Sequence, residues 1–400
     1  MKSQIILQNR GFLTTEIMLA FSLMTIFTIS TFTLLFSTQE LKMWSLNELE
    51  RLESEPLVYA YSDYIEDFGR NSCLDKIDFD EDKIKYFPDG LSIGLSNKSS
   101  DIEVRNGIIY LTADATSLSP HDFFIIDSRD MSIISSINTG PGVSAIEVAG
   151  PYVFLAESST INQLQILDIH DRRAPRLISE IKLPLPTATT TAPFATSIFY
   201  SKGFIYLGTE KWDGAEFSVI DVSDVHDPTV VGSLETGTLI NDIYVSGNTA
   251  YLAGSDNKQM RIVDISDKSQ PVLIDSFSPS GWQTQEGKVL DYFQGAIGLG
   301  RTVGGFNVEG NHEAFVFFKS SEIFSRDVPG GVYGMLLRDN NIFLLTHDLQ
   351  NEFQVFDKNL DNKIFELPLG QSPVKMACDG SNLFFATGGN TGVSILKLYE

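Results

Sequence analysis

Five aspartates recur at one place in a repeated pattern. Asp127, Asp168, Asp221, Asp264 and Asp357 each close a short apolar run, as in FFIIDSRD, LQILDIHD, FSVIDVSD, MRIVDISD and FQVFDKNL. A single carboxylate of this kind could serve as a general acid or base. Recurrence at one structural position fits instead a side chain that caps the turn after a strand. The histidines His121, His170, His226, His312 and His347 show neither HxH nor HExxH spacing, so the sequence supports no metal site. The segment DFDEDKIKYFPD (78–89) places acidic residues in a calcium-loop register but has Lys83 where that loop needs glycine. It reads as an acidic, solvated neck. GLGRTVGG (298–305) lacks the GK[ST] ending of a phosphate loop. No nucleophile motif is present, and carboxylates are too numerous to single out a glycosidase pair. The residues therefore support no enzyme and no cofactor.

One carboxylate stands apart. From Phe12 to Gln39 the only charged residue is Glu16, inside an otherwise apolar run. Residues 12–36 hold 16 apolar side chains, eight Ser or Thr and that one Glu. As a helix the run would span about 37 Å, enough to cross a bilayer core of about 30 Å. A carboxylate at the bilayer centre costs roughly 2.5–3.5 kcal/mol. Lys2 and Arg10 flank the run on its N-terminal side, which places the N-terminus in the cytoplasm and the rest outside. The run is too long for a cleaved secretory signal, and STQELKMW offers no small-residue cleavage site. If the chain were cut between Gly11 and Phe12, Glu16 would be the fifth residue. It could then meet the new α-amine of Phe12, because positions four apart share a helix face.

The stretch RGFLTTEIMLAFSLMTIFTISTFTLLFS resembles the class III signal of type IV pilins and pseudopilins. The resemblance covers residues 1 to about 55. It implies cleavage after Gly11 by a prepilin peptidase and N-methylation of Phe12. It also implies packing of the apolar segment against other pilin subunits, with Glu16 recognising a neighbour's Phe12 amine. A plain membrane anchor is the competing reading. Residues compatible with a helix continue through LKMWSLNELERLESE until Pro56.

The rest of the chain is repetitive. Anchor positions 127, 168, 221, 264, 318, 357 and 397 are separated by 41, 53, 43, 54, 39 and 40 residues. Each anchored run follows a strand-like segment such as NGIIYLTAD or GNTAYLAGS, and most precede another such as PTVVGSLETG. Short β-rich strands separated by Gly, Asn and Asp turns, at a period near 45, read as about seven four-stranded blades of a β-propeller. The last repeat lacks its fourth strand, and LSIGLS (91–96) is expected to supply it and close the ring. VIDVSDVHDPTVVGSLETG followed by LINDIYVSGNTAYLAGS resembles the LVIVD repeat of bacterial surface propellers. That resemblance implies an extracytoplasmic binding or scaffold module. PLPTATTTAPFATS (184–197) reads as an exposed connector.

Cys73 and Cys378 show no CxxC or zinc spacing. In an exported chain they could form one disulfide, latching neck to propeller; in a cytosolic one they would be unrelated thiols. Fifty-two acidic against 29 basic residues give a net charge of −23, which repels nucleic acid and anionic headgroups.

The expected fold class is thus mainly β: a C-terminal propeller preceded by one long pilin-type α-helix. The expected domains are a leader at 1–11, a hydrophobic segment at 12–55, a neck at 56–90 and the propeller at 91–400. The expected localisation is a single pass in the inner membrane, with the N-terminus cytoplasmic, and then a filament on the bacterial surface. The expected function is that of a minor, tip-located pilus-like subunit presenting the propeller to an unknown surface ligand or protein. Two alternatives are a pseudopilin of a type II secretion or DNA-uptake machine, and a membrane-anchored propeller enzyme or binding protein.

Overall fold

In the repeats, runs such as IIYLTA (108–113) are mostly apolar, whereas outer runs such as IISSI (133–137) and RLISEI (176–181) mix apolar with polar residues. A strand buried on both faces reads as a continuous apolar run, and one at an edge does not. The computed structural model describes residues 73–74, 84–91, 98–114, 121–140, 142–187, 191–278, 285–302, 312–318, 321–370, 372–388 and 393–398. All belong to the compact unit Asp63–Glu400.

The first described strand is β1 (Ile84–Leu91). Sheets of four follow in chain order: β2 (Ser99–Arg105), β3 (Ile108–Ala113), β4 (Phe123–Asp127) and β5 (Ile133–Ile137); then β6 (Val143–Ala149), β7 (Tyr152–Glu157), β8 (Leu164–Asp168) and β9 (Arg176–Ile181). The next are β10 (Ala195–Ser201), β11 (Phe204–Thr209), β12 (Phe217–Asp221) and β13 (Thr229–Leu234), and β14 (Ile240–Ser246), β15 (Thr249–Gly254), β16 (Met260–Asp264) and β17 (Val272–Phe277). Then come β18 (Gly287–Phe293), β19 (Ala296–Arg301), β20 (Ala314–Phe317) and β21 (Ile323–Arg326), and β22 (Val332–Leu337), β23 (Asn341–Thr346), β24 (Phe353–Asp357) and β25 (Lys363–Leu367). The final sheet joins β26 (Pro373–Asp379), β27 (Asn382–Thr387) and β28 (Val393–Leu398) to β1, in the order β26-β27-β28-β1. Among the described residues the sheets therefore number seven.

The first strand of each sheet is innermost, and these strands touch in cyclic order from β2 through β26 and back to β2. The core lies between adjacent sheets. Val153, Leu155 and Leu167 of one sheet pack against Tyr110, Phe123 and Ile125 of the sheet before it, and comparable clusters fill the other junctions. Middle strands such as β3 are buried along their whole length, while outer β17 leaves Val272, Leu273 and Ile274 exposed.

The structure departs from the expected fold class. Every regular element among the described residues is a strand. None of them forms a helix long and apolar enough to cross a membrane. The helix expected over 12–55, with Gly11, Phe12 and Glu16, lies outside the described residues.

The closing strand is also displaced from its expected place. β1 at 84–91 pairs antiparallel with β28, Ile84 opposite Leu398 and Phe87 opposite Ile395, whereas 92–97 lie outside the described residues. Both IKYFPDGL and LSIGLS have strand character. What selects the former is packing: Ile84 and Tyr86 rest on the core of the junction it closes, and the Tyr86 hydroxyl donates to the Leu369 carbonyl at 2.9 Å. Pro88 is tolerated there because this strand is the sheet's edge.

Candidate functional site

The repeated aspartates are turn caps. Oδ1 of Asp127, Asp168, Asp221 and Asp264 accepts from the backbone N–H two residues on, at 2.8–2.9 Å. Asp357 does the same over a wider turn, accepting from Asp361 and Asn362. Side-chain and backbone donors hold Asp127 below the usual carboxylate range, and the Ser266 amide and hydroxyl do so for Asp264. The histidines are dispersed. His121 meets Ser136 at 2.6 Å, His170 meets Asp168 at 2.8 Å, His312 meets Ser325 at 2.5 Å, and His347 stacks on Tyr333. Among the described residues no group of three His, Cys, Asp or Glu could hold a metal ion. Of the acidic neck, residues 78–83 lie outside the description and 84–89 belong to β1.

A second set of polar residues was not singled out from sequence. Asp122, Gln163, Glu216, Gln259, Glu313 and Glu352 each stand immediately before the third strand of a sheet. Most accept from the connection that leaves the same sheet. Asp122 takes the Thr139 amide at 2.7 Å, Gln163 that of Leu183 at 2.9 Å and Glu216 that of Thr236 at 2.7 Å. Glu313 takes the Val328 amide and Glu352 that of Leu369, both at 2.8 Å. Extending the repeat alignment one residue ahead of each strand would have exposed them, since the position holds Asp, Glu or Gln in six of the seven sheets and Gly392 in the last.

The charged groups that converge do so on the axis. Each inner strand is irregular in register between its first and third residues, as at Ser99/Asp101, Ile240/Asp242 and Pro373/Lys375. Such irregularities re-aim side chains. Three sheets place a charge at this third position, Asp101, Asp242 and Lys375; the other four place Ala145, Ser197, Val289 and Gly334 there. Lys375 Nζ lies 3.9 Å from Asp242 Oδ1. β26 and β14 are not neighbours in the ring, so this ion pair spans the axis. Burial alone would lower the Lys375 pKa, but Asp242, Asp101 and Glu147 together hold it above the ordinary lysine value. The ammonium is therefore a fixed cation, not a nucleophile.

The carboxylates also clasp one sheet to the next. Asp101 accepts from Ile102 and, in the following sheet, Ile146; Asp242 accepts from Ile243 and Leu290; Asp291 accepts from Leu337 at 2.6 Å; Glu103 accepts from Val148 at 2.6 Å. Asp379 Oδ2 takes the Gly107 amide at 2.7 Å, joining the last sheet to the first. Burial pushes Asp101 and Asp291 up to about 6, an effect partly offset by Lys375 and Arg338 respectively.

Arg338 carries this layer to the cysteines. Nη1 lies 3.5 Å from Asp291 Oδ2, Nε donates to the Cys73 carbonyl at 2.8 Å, and Nη2 contacts Cys73 Sγ at 3.0 Å and Cys378 Sγ at 3.1 Å. Cys73 and Cys378 form a disulfide with Cα atoms 5.8 Å apart. Leu74 donates its amide to the Gly380 carbonyl, and Cys73 and Leu74 are both buried in the junction that β1 closes. The axial layer is a charge-compensated floor, set by paired ions and fixed donors that hold adjacent sheets together.

A model of the LVIVD repeat matches residues 240–278, the segment that forms β14 to β17. No curated protein matches the chain. Many solved structures share its fold. Virginiamycin B lyase from Staphylococcus aureus is similar over 79% of this chain and 99% of its own, with a TM-score of 0.58 and 14% identity. A chain of the mitotic checkpoint complex gives a TM-score of 0.59 at 10% identity over 82% of this chain and 94% of its own. Hydrazine synthase from Kuenenia stuttgartiensis gives 0.58 at 12% identity, over 75% and 95% respectively. At these identities the likeness is one of fold: the described part of this chain is a β-propeller that carries an LVIVD repeat.

Proposed function

We propose that this chain is a minor subunit of a type IV pilus-like filament, presenting its propeller on the bacterial surface for adhesion or recognition. The observation that carries the proposal is Glu16, the single charge from Phe12 to Gln39, four residues after Phe12 and following an Arg10-Gly11 step. A prepilin peptidase would cut after Gly11 and methylate the Phe12 amine. The segment 12–55 would then leave the inner membrane to pack among other pilins. A disulfide and an acidic surface both suit an extracytoplasmic module. A propeller of this size would crowd its neighbours if repeated along a filament body, which favours the tip.

The test is Glu16→Ala in the full chain. Incorporation into filaments is expected to fall by about tenfold or more while membrane insertion is kept, because the neighbour's amine loses its counter-charge. Incorporation at the parental level would overturn the reading and leave a plain surface anchor.

A further inference from the structure

Glu157 ends β7 with its side chain wholly buried. Its carboxylate oxygens have no donor beyond the neighbouring Thr139 hydroxyl, and Gln165 Oε1 has no hydrogen-bond partner. These groups meet at one rim of the junction between the first two sheets. Gln165 faces the same junction two residues along the neighbouring strand β8, since Leu155 pairs with Gln165 and Glu157 bonds to Gln163. The Gln165 amide nitrogen donates to the Thr139 carbonyl and to Glu180 Oε1, both at 2.9 Å, which holds its carboxamide beside Thr139. The charged side chains acting on Glu157 are Asp122 and Glu180, both acidic, with the Thr139 hydroxyl beside it.

The equivalent rims elsewhere in the ring show what the fold places there. The residue opposite the first position of the inner strand is Glu157 in the second sheet, Gly254 in the fourth and Arg301 in the fifth. In the fifth sheet the fully buried Arg301 guanidinium donates to Gln259 Oε1 at 3.0 Å and to the His312 carbonyl. In the fourth sheet the cation comes from the position equivalent to Gln165. Arg261 pairs with Leu252 as Gln165 pairs with Leu155. Its guanidinium occupies the space beside Gly254, where an added Cβ would lie 2.6 Å from Nη1. It donates to the carbonyl of Thr236, whose amide is held by Glu216 as that of Thr139 is held by Asp122. Two of these rims thus hold a buried positive charge among oxygen acceptors. The first junction has the acceptors, with an added carboxylate, and holds glutamine where the fourth sheet has Arg261.

We propose that this rim binds a hard metal cation, calcium in an extracytoplasmic protein, through the Glu157 carboxylate, the Gln165 amide oxygen and the Thr139 hydroxyl, with Asp122 and Glu180 as flanking charges. The donor set is all oxygen and mixed in type, which suits calcium, an ion that accepts carboxylate, amide and water ligands in irregular geometry. It contains one direct carboxylate, consistent with the lack of a three-carboxylate or histidine cluster among the described residues. A bound cation supplies the counter-charge that Asp122 and Glu180, both acidic, do not. The choice of calcium among hard cations rests on the extracytoplasmic reading above, while the site itself does not depend on the filament.

The experiment is thermal unfolding and titration calorimetry of the full chain, in EDTA and in about 5 mM calcium, a level suited to extracellular sites. Parental protein is expected to gain several degrees in calcium, with one saturable site. Glu157→Gln is expected to lose that response and to weaken binding by about tenfold or more. Gln165→Arg copies the arrangement at Arg261, so it should abolish calcium binding while keeping the parental melting temperature measured with calcium. A parental protein indifferent to calcium would overturn the proposal, most clearly if Glu157→Gln raised the melting temperature equally with and without the ion. Equal calcium responses in parent and both variants would place any bound ion elsewhere and overturn it as well.

Discussion

Replacing both Cys73 and Cys378 by serine is expected to destabilise the propeller by about 3 kcal/mol and lower its melting temperature by several degrees. The link spans 305 residues, so it restricts the unfolded chain over nearly the whole ring. Its loss also frees the anchor of Cys73 and Leu74, which are buried against Phe343, Phe353 and Phe385. The closing strand β1 follows the bridge in sequence and pairs only with β28, at the sheet's outer edge. While Cys73 is tied to β26, β1 stays tethered beside its partner; without that tie it can peel off and expose an unpaired edge. Serine retains an acceptor for Arg338, so the deficit reports the covalent link more than a lost hydrogen bond. Denaturant titration of parent and double variant measures it. Equal midpoints, or a parental midpoint indifferent to reductant, would contradict the expected role.

The second large effect is expected from Lys375→Met. The substitution conserves much of the side-chain volume and removes the cation that spans the axis to Asp242, with Asp101 and Glu147 close enough to act on it. Breaking a buried pair by removing one partner costs about 3–5 kcal/mol. The Lys375 side chain keeps 28% exposure, so solvent screens part of this, and about 2–3 kcal/mol is the expected loss. The loss depends on pH with a definite sign. Asp101 has a folded pKa of about 6 against 3.8 when free, so folding favours its protonated form. That contribution is complete below the free value and is lost as pH rises through the folded value. Lys375 is the main charge lowering the Asp101 pKa. Without it the window extends upward, and the variant should be weaker relative to the parent at about pH 8 than at about pH 5. Adding Asp242→Asn should recover part of the stability. A pH-independent deficit, or no recovery in the double variant, would show that the lysine acts by packing alone.

The parts of this molecule written locally were readable in the sequence. Asp127, Asp168, Asp221 and Asp264 reach a backbone N–H two residues away, and an interaction of that range leaves its trace in every copy of the repeat. The closing strand was harder. IKYFPDGL and LSIGLS both have strand character, and the decision rests on Tyr86 reaching Leu369 across the chain. The axial ion pair left no local signal. Lys375 and Asp242 belong to inner strands that are not neighbours, and only ring closure brings them together. Glu157 was hidden for a related reason: it stands where other sheets carry Thr209, Gly254 and Arg301, and this variety conceals a shared position until the strand registers align.

The central claim, that a filament subunit carries this propeller, is tested most directly by the mass of the mature N-terminus after expression with a prepilin peptidase. The expected mature chain begins at N-methylated Phe12. A chain that still begins at Met1, with the peptidase active on a control substrate, would contradict it and make this an anchored surface propeller.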